Sequence, residues 1–347
     1  MVPEAVVRFL SGYGGRPVKI MEVCGTHTAT ALRGGIRSLI SDKIRLVSGP
    51  GCPVCLASSA YIDRLCALAK DGCVIVSFGD LLKVKGSTGS LLDMKAAGHG
   101  VEMVYSPLDA VRIASERPGK TVVLAAIGFE TTAPAHALVV ETAVQKGLKN
   151  LMLLTAMKRL MPALDLLCAD PGLDAFIAPG HVAAVTGSAV FEPAAKKHKK
   201  PFAVAGFTPE SMLLAMYCLV KQIGAGGSGV ANLYGEAVRP EGNEKARAVM
   251  DKYFEPGDAY WRGLGVIKDS GLYLKKEYMR FDAGSFGRND EGAEARGCMC
   301  GAVLTGRSDP DECPMFGKKC TPEDAYGPCM VSAEGACGIW YREGAAK

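Results

Sequence analysis

The residues with the greatest chemical potential in this 347-residue chain are its 13 cysteines, and they are unevenly spread. Six of them, Cys298, Cys300, Cys313, Cys320, Cys329 and Cys337, fall within the last 50 residues. A stretch so short and so rich in glycine and proline cannot bury a sufficient core, so it is expected to need a covalent or metal staple. Structural zinc commonly uses cysteines two to four residues apart, whereas this segment opens with Cys298-Met299-Cys300 and then spaces its sulfurs widely. An iron-sulfur cluster tolerates that spacing better; zinc stays open, and disulfides come third where thiols are kept reduced. Six thiols also exceed the four-cysteine set of a cubane, which leaves two for redox work.

A second constellation is Gly49-Pro50-Gly51-Cys52-Pro53-Val54-Cys55, a C-x-x-C directly after an expected strand and before a helix. That position puts Cys52 near a helix N-terminus, where backbone N–H groups lower a thiol's pKa, so the pair is expected to be reactive. A thioredoxin-type redox motif or half of a zinc site would use the same spacing. The third is Glu22-Val23-Cys24-Gly25-Thr26-His27-Thr28, again between a strand and a helix. Open α/β sheets bind ligands outside the carboxyl ends of their strands, so Cys24 and His27 are expected to face a crevice. Singly, such a cysteine is more often a small buried hydrophobe and such a histidine a satisfied polar group. Gly128-Phe129-Glu130-Thr131-Thr132-Ala133-Pro134 and Pro179-Gly180-His181-Val182 follow apolar runs in the same manner and can project polar groups into the same crevice; capping of the next helix by Thr131 or Thr132 is the plainer role. His136 and His99 are assigned none.

These segments need strands to position them. Apolar runs at 18–23, 44–48, 74–78, 101–105, 122–127, 151–154, 175–178 and 202–205 read as strands, and 29–40, 58–69, 135–146 and 210–223 carry helical periodicity. That alternation is a parallel α/β signature, and eight strands exceed what one small doubly wound sheet usually holds. Two α/β domains, 1–118 and 119–225, are therefore expected, with crossings between them allowed, followed by a third domain at 226–347. Gly224-Ala225-Gly226-Gly227-Ser228-Gly229 matches the G-x-G-x-x-G pattern but follows a helix, so it reads as a hinge. Gly119-Lys120-Thr121 is no P-loop, because Ala114 stands where the first glycine belongs and a strand follows.

Composition narrows the classes. An apolar share of 48% supports real cores, and Lys plus Arg at 40 against 36 Asp plus Glu gives a net charge of only +4. No arginine-rich segment supports nucleic-acid binding, and the run from Lys196 to Lys200 reads as a solvated helix end. No stretch has the roughly 18 uncharged apolar residues of a membrane span, and the first fifteen residues lack a signal-peptide pattern, so a cytoplasmic protein is expected.

Taken in order, Cys24-Gly25-Thr26-His27, Gly49 to Cys55, Phe78-Gly79-Asp80, Gly128 to Thr132, Pro179 to Val182, Trp261 to Ile267, Cys313 to Glu323 and Met330 to Cys337 resemble the hydrogenase maturation factor HypD family over essentially the whole chain. The resemblance implies two parallel-sheet α/β domains plus a small cysteine-rich iron-sulfur domain. It implies a scaffold on which the Fe(CN)2CO unit of [NiFe]-hydrogenases is assembled, with a HypC-type small chaperone sharing the iron and a HypE-type protein donating cyanide. Carried over by motif, Cys298, Cys313, Cys320 and Cys337 would hold a [4Fe-4S] cluster, and Cys300 and Cys329 would form a redox-active pair beside it. Cys24 would supply a thiolate to the iron of the Fe(CN)2CO precursor with His27 beside it, and Cys52 and Cys55 would form a dithiol lining that site. Backbone N–H groups at Gly25 and Gly51 are expected to meet the cyanide nitrogens. Two positions depart from the family pattern: Met157 stands where histidine is usual, and Ala183 where serine is usual. An iron-sulfur disulfide reductase acting on a partner protein is the main alternative, one that needs no third thiol at a strand end; a zinc-stapled binding module is another.

Overall fold

Strands form where aliphatic residues run without interruption. Residues 122–128, Val-Val-Leu-Ala-Ala-Ile-Gly, are buried at every position, as expected of a parallel strand covered on both faces by helices. The computed structural model describes residues 3–285 and 297–344. Residues 286–296, at the entry to the expected cysteine-dense segment, and both extreme termini lie outside the described residues.

The strands are β1 (Val18–Glu22), β2 (Ile44–Ser48), β3 (Val74–Ser77), β4 (Val101–Met103), β5 (Val122–Gly128), β6 (Leu151–Met157), β7 (Ala175–Pro179), β8 (Phe202–Ala205), β9 (Val230–Asn232), β10 (Phe254–Trp261) and β11 (Gly265–Leu274). Two parallel sheets result, one in the order β2-β1-β7-β8-β9 and one in the order β4-β3-β5-β6, so the expectation of two parallel-sheet units holds. β10 and β11 pair as an antiparallel hairpin.

The sheets are not successive halves of the chain. β1 and β2 begin the five-stranded sheet, residues 74–157 make the whole four-stranded sheet, and the chain then returns to the first sheet at β7. A boundary at 118/119 thus falls inside the four-stranded sheet, between β4 and β5, because β3 pairs with both of them. The 224–229 glycine segment likewise leads to no separate domain. It turns out of the helix Pro209–Gly224, with Gly226 at φ 69°, into β9, which completes the first sheet by pairing with β8. The helix expected over 29–40 starts earlier and stops sooner, at Gly25–Arg33. Gly34 and a left-handed Gly35 end it, and a 3-10 turn, Ile36–Leu39, follows.

After the hairpin the chain runs through short helices, Cys300–Leu304, Pro328–Val331 and Ala336–Glu343, the last packing on the helix Gly25–Arg33. Arg33 to Glu343 at 2.6 Å and the Arg37 guanidinium 4.3 Å above the Trp340 ring tie this end to the first sheet. Trp261 anchors the hairpin in the core: it is fully buried, lies 6.0 Å from Phe129, and donates from Nε1 to Ser270 Oγ at 2.8 Å. The basic run ends the helix Glu192–His198 as expected, with Lys197 and His198 both meeting Asp165. Among the described residues no helix is long and apolar enough to cross a membrane.

Replacing Trp261 with alanine removes this anchor and leaves a cavity, so the Trp261→Ala variant is expected to lose about 3–5 kcal/mol of stability. Urea unfolding followed by circular dichroism measures it; a loss below about 1 kcal/mol would mean that the hairpin is not anchored through this ring.

Candidate functional site

In each sheet the chain leaves in opposite directions from two neighbouring strands: β1 and β7 in the larger sheet, β3 and β5 in the smaller. Crevices outside the carboxyl ends of such strands are where open α/β sheets bind ligands. Here the two crevices open into one another. A single cavity of about 290 Å3 is lined by Cys24 beyond β1, His181 beyond β7, Phe78 and Asp80 beyond β3, and Thr131 and Thr132 beyond β5. Gly51 and Pro53 of the C-x-x-C turn and Glu334 from the C-terminal segment complete it.

Cys24 is the N-cap of the helix Gly25–Arg33, with an extended backbone, φ −153°. Its sulfur receives hydrogen bonds from the His27 and Thr26 backbone N–H groups and the Thr26 hydroxyl, yet burial prevails and, with the nearby Glu22 carboxyl, pushes the thiol up to about 11. The thiolate that the resemblance implies at Cys24 is therefore not its resting form, which is a neutral thiol at pH 7. Glu22 is buried and accepts from Cys24 N at 3.0 Å and from the Thr28 hydroxyl; burial raises its carboxyl to about 8.

His27 does not line this cavity. It is wholly buried, its Nε2 lies 2.9 Å from the Gly206 carbonyl, and its ring stacks on Phe207 at 4.9 Å. Burial lowers its pKa to about 4, so it is a neutral packing element. His181, stacked on the other side of the same Phe207 at 3.8 Å, is the histidine that meets the cavity. The helical pattern around His27 in the sequence carries no sign of which way the ring turns.

Cys52 and Cys55 form a disulfide, with Cα atoms 5.3 Å apart. The helix immediately after Cys52 is only a three-residue 3-10 turn, Val54–Leu56, too short to supply the expected helix N-terminus. Gly51 cannot offer its N–H to a ligand, since it donates to the Gly49 carbonyl at 2.8 Å. Thr132 occupies an N-cap position, but its hydroxyl donates to the Phe129 carbonyl and caps nothing.

Sequence reasoning missed the arrival of Glu334. Ser332 donates to Asp80 at 3.1 Å, which fixes Glu334 beside Asp80, and burial together with the Asp80 charge raises the Glu334 carboxyl above its usual range. Among the described residues no lysine or arginine lines the cavity, so a thiol, two carboxyls and an imidazole line it with no permanently charged cation among them.

The same C-terminal segment brings the remaining cysteines together. Cys298, Cys300, Cys313, Cys320, Cys329 and Cys337 all line one small cavity closed by Met299, Met315, Phe316 and Met330. Burial, then the neighbouring sulfurs, pushes the Cys298 thiol up to about 12, and Cys337 is raised for the same reasons, with Cys313 and Cys320 among the sulfurs acting on both. Thiols packed this closely cannot ionise together unless positive charge lies among them. Cys300 and Cys329 touch, Sγ to Sγ, at 2.9 Å. Neither Cys52 nor Cys55, expected to line the first cavity, is among the residues that do; only their turn, through Gly51, Pro53 and Val54, reaches it. Cys55 Sγ lies 3.9 Å from the carbonyl oxygen of Pro328, the residue before Cys329, so the disulfide adjoins the segment that carries Cys329. Among the described residues no group of three or more His, Cys, Asp and Glu side chains is arranged so that it could hold a metal ion.

Residues 4–344 match the family model HypD, described as the Hydrogenase formation hypA family. The hydrogenase maturation factor HypD of Escherichia coli is 41% identical over 339 residues, covering 96% of this chain and 91% of the relative. That of Rhodobacter capsulatus is 40% identical over 342 residues, with the same coverage. The hydrogenase expression/formation protein HupD of Azotobacter chroococcum is 40% identical over 341 residues, covering 95% and 90%.

Glu130, buried at the carboxyl end of β5, accepts from Leu160 N at 2.9 Å, and burial raises its carboxyl to about 7. Its folded form keeps a proton that the unfolded chain releases above 4.5, so its contribution is full below pH 4.5 and is lost as pH rises to about 7. Stability of the wild type relative to Glu130→Gln is therefore expected to fall across that window. Urea unfolding at pH 4.5, 6 and 7.5 tests this; a constant difference between the two proteins would refute a neutral buried Glu130.

Proposed function

Because the chain belongs to the HypD family of hydrogenase maturation factors, we propose that it serves as the scaffold on which the Fe(CN)2CO unit of [NiFe]-hydrogenases is assembled. The observation that carries this reading is the convergence of Cys24, Asp80, His181 and Glu334 on one cavity whose wall also bears the Cys52–Cys55 turn. The iron is the substrate here. Cys24 anchors it as a thiolate once its proton is displaced, and soft sulfur suits low-spin iron with cyanide and carbonyl ligands. Asp80 and Glu334 offset the positive charge of the incoming ion before cyanide arrives. A HypC-type small chaperone shares the iron at the cavity mouth and a HypE-type protein delivers cyanide there.

The six-cysteine cavity fits a [4Fe-4S] cluster by its donor chemistry: crowded, buried thiols that stay protonated alone become good ligands once a cationic core lies among them. Cys298, Cys313, Cys320 and Cys337 would hold it, and when bound it would supply single electrons. Cys300 and Cys329 remain as a dithiol. In its reduced form this pair reduces the Cys52–Cys55 disulfide by exchange: a thiolate of the pair attacks, a mixed disulfide forms, and the second thiol resolves it. Two electrons and two protons pass, leaving Cys52 and Cys55 as thiols and Cys300 and Cys329 oxidised, to be reduced again by an external donor. The Cys55–Pro328 contact, which brings the two pairs near one another, supports exchange between them. The disulfide equally favours a second reading, in which the same relay reduces a partner protein and Cys24 has no metal to hold.

Anaerobic purification with the small chaperone, followed by infrared spectroscopy of the cyanide and carbonyl stretches, separates the two. Wild type is expected to show those bands and Cys24→Ala to lose them while keeping its brown colour; bands surviving in Cys24→Ala would remove Cys24 as the anchor, and a brown wild type without bands would favour the reductase. A Cys300→Ser, Cys329→Ser double variant is expected to retain the cluster and fail to mature hydrogenase, and normal maturation by it would exclude the relay.

A further inference from the structure

A second cavity, of about 60 Å3, lies where the carboxyl end of β6 meets the helix Ser59–Lys70 and the β10–β11 hairpin. It shares no lining residue with the Cys24 cavity. Lys158 is buried at its wall with only 7% of its surface exposed, and its Nζ donates to the Tyr260 carbonyl at 2.8 Å. That contact uses one of three ammonium donors. No ion pair to Lys158 exists among the described residues, and burial alone lowers its pKa to about 7.

The Tyr61 and Tyr273 hydroxyls at this cavity donate to the Leu154 and Asp258 carbonyls, and Arg64 Nη2 lies 3.4 Å from the Ala283 carbonyl, but other polar atoms here keep donors to spare. Among the described residues the buried Thr155 hydroxyl makes no hydrogen bond, and neither does Arg64 Nε. Ser285 Oγ accepts from Thr155 N at 2.7 Å, and Ser58 Oγ accepts from Tyr61 N at 3.1 Å, so each keeps its own hydroxyl proton to donate. Among the described residues two cationic side chains line the cavity and no aspartate or glutamate does. Buried polar groups in folded proteins nearly always have partners, and these donors have one kind of partner in common.

We propose that this cavity binds a small oxyanion, a carboxylate, carbonate or phosphate group, held by Lys158 and Arg64 through charge and by Thr155, Ser285 and Ser58 through their hydroxyl protons. Its size, a few water-sized volumes at about 10–15 Å3 each, admits such a group and excludes a nucleotide. The occupant touches Ala57 and Ser58, just beyond the disulfide at Cys55, yet the site stands on its own observations and does not depend on the scaffold reading.

Calorimetric titration of the full chain with inorganic phosphate, bicarbonate and acetate, in a buffer free of other oxyanions, tests this. Saturable one-to-one binding of at least one probe is expected. Lys158→Met should weaken it at least about tenfold, and Thr155→Val should weaken it less, each melting no lower than wild type without anion. Should Lys158→Met fail to fold, the rate at which acetic anhydride labels Lys158 in wild type serves instead, and the bound probe should protect it. No saturable heat with any probe, undiminished affinity in Lys158→Met, or binding that leaves the labelling rate unchanged would each overturn the site.

Discussion

A methyl group on Gly51 would sit 2.5 Å from the backbone nitrogen and Cα of Cys24, and one on Gly335 would come within 2.9 Å of the Cys329 Cα. At Gly25 an added Cβ would run into the Glu334 backbone. These close approaches, possible only where no side chain intervenes, set the distance between Cys24, the disulfide turn and Glu334, and fold the C-terminal segment back on Cys329. Of these, the Gly25–Glu334 approach joins segments 309 residues apart in sequence and holds Glu334 at the cavity, while Gly263 rests on Gly301 where the hairpin meets the first cysteine helix.

The electrostatics follow from the same packing. Close, dry contact removes water from Cys24, Glu22, Cys298 and Cys337, and each is pushed towards its neutral form. Thiols kept neutral at this spacing avoid the repulsion of many bare thiolates, and any cation taken up at the proposed sites would have to displace their protons, so its uptake would depend on pH.

Much of the fold was legible in the sequence because buried parallel strands carry runs such as Val122 to Ile127 that need no tertiary information to read. The positions of Cys24, the C-x-x-C turn and the Gly128 to Thr132 segment at strand ends were legible for the same reason. Three things were not. Which strands share a sheet depends on pairings across long separations, so the return of the chain at β7 and the recruitment of β9 were invisible. The direction in which His27 turns depends on the Gly206 carbonyl and Phe207, both far away in sequence. The thiol pKa values depend on burial, which local helix-end arguments for Cys24 and Cys52 do not contain.

The doubling back of the chain also sets an order of events during synthesis. The four-stranded sheet is a continuous insert, residues 74–157, and can close as soon as it leaves the ribosome, whereas β1 and β2 must wait unpaired with β7 until the insert is complete. Glu334 and Cys337 are made about three hundred residues after Cys24. A nascent chain therefore exposes Cys24 and the C-x-x-C turn long before the segment that covers them exists, and the Cys24 cavity and the six-cysteine cavity are completed together.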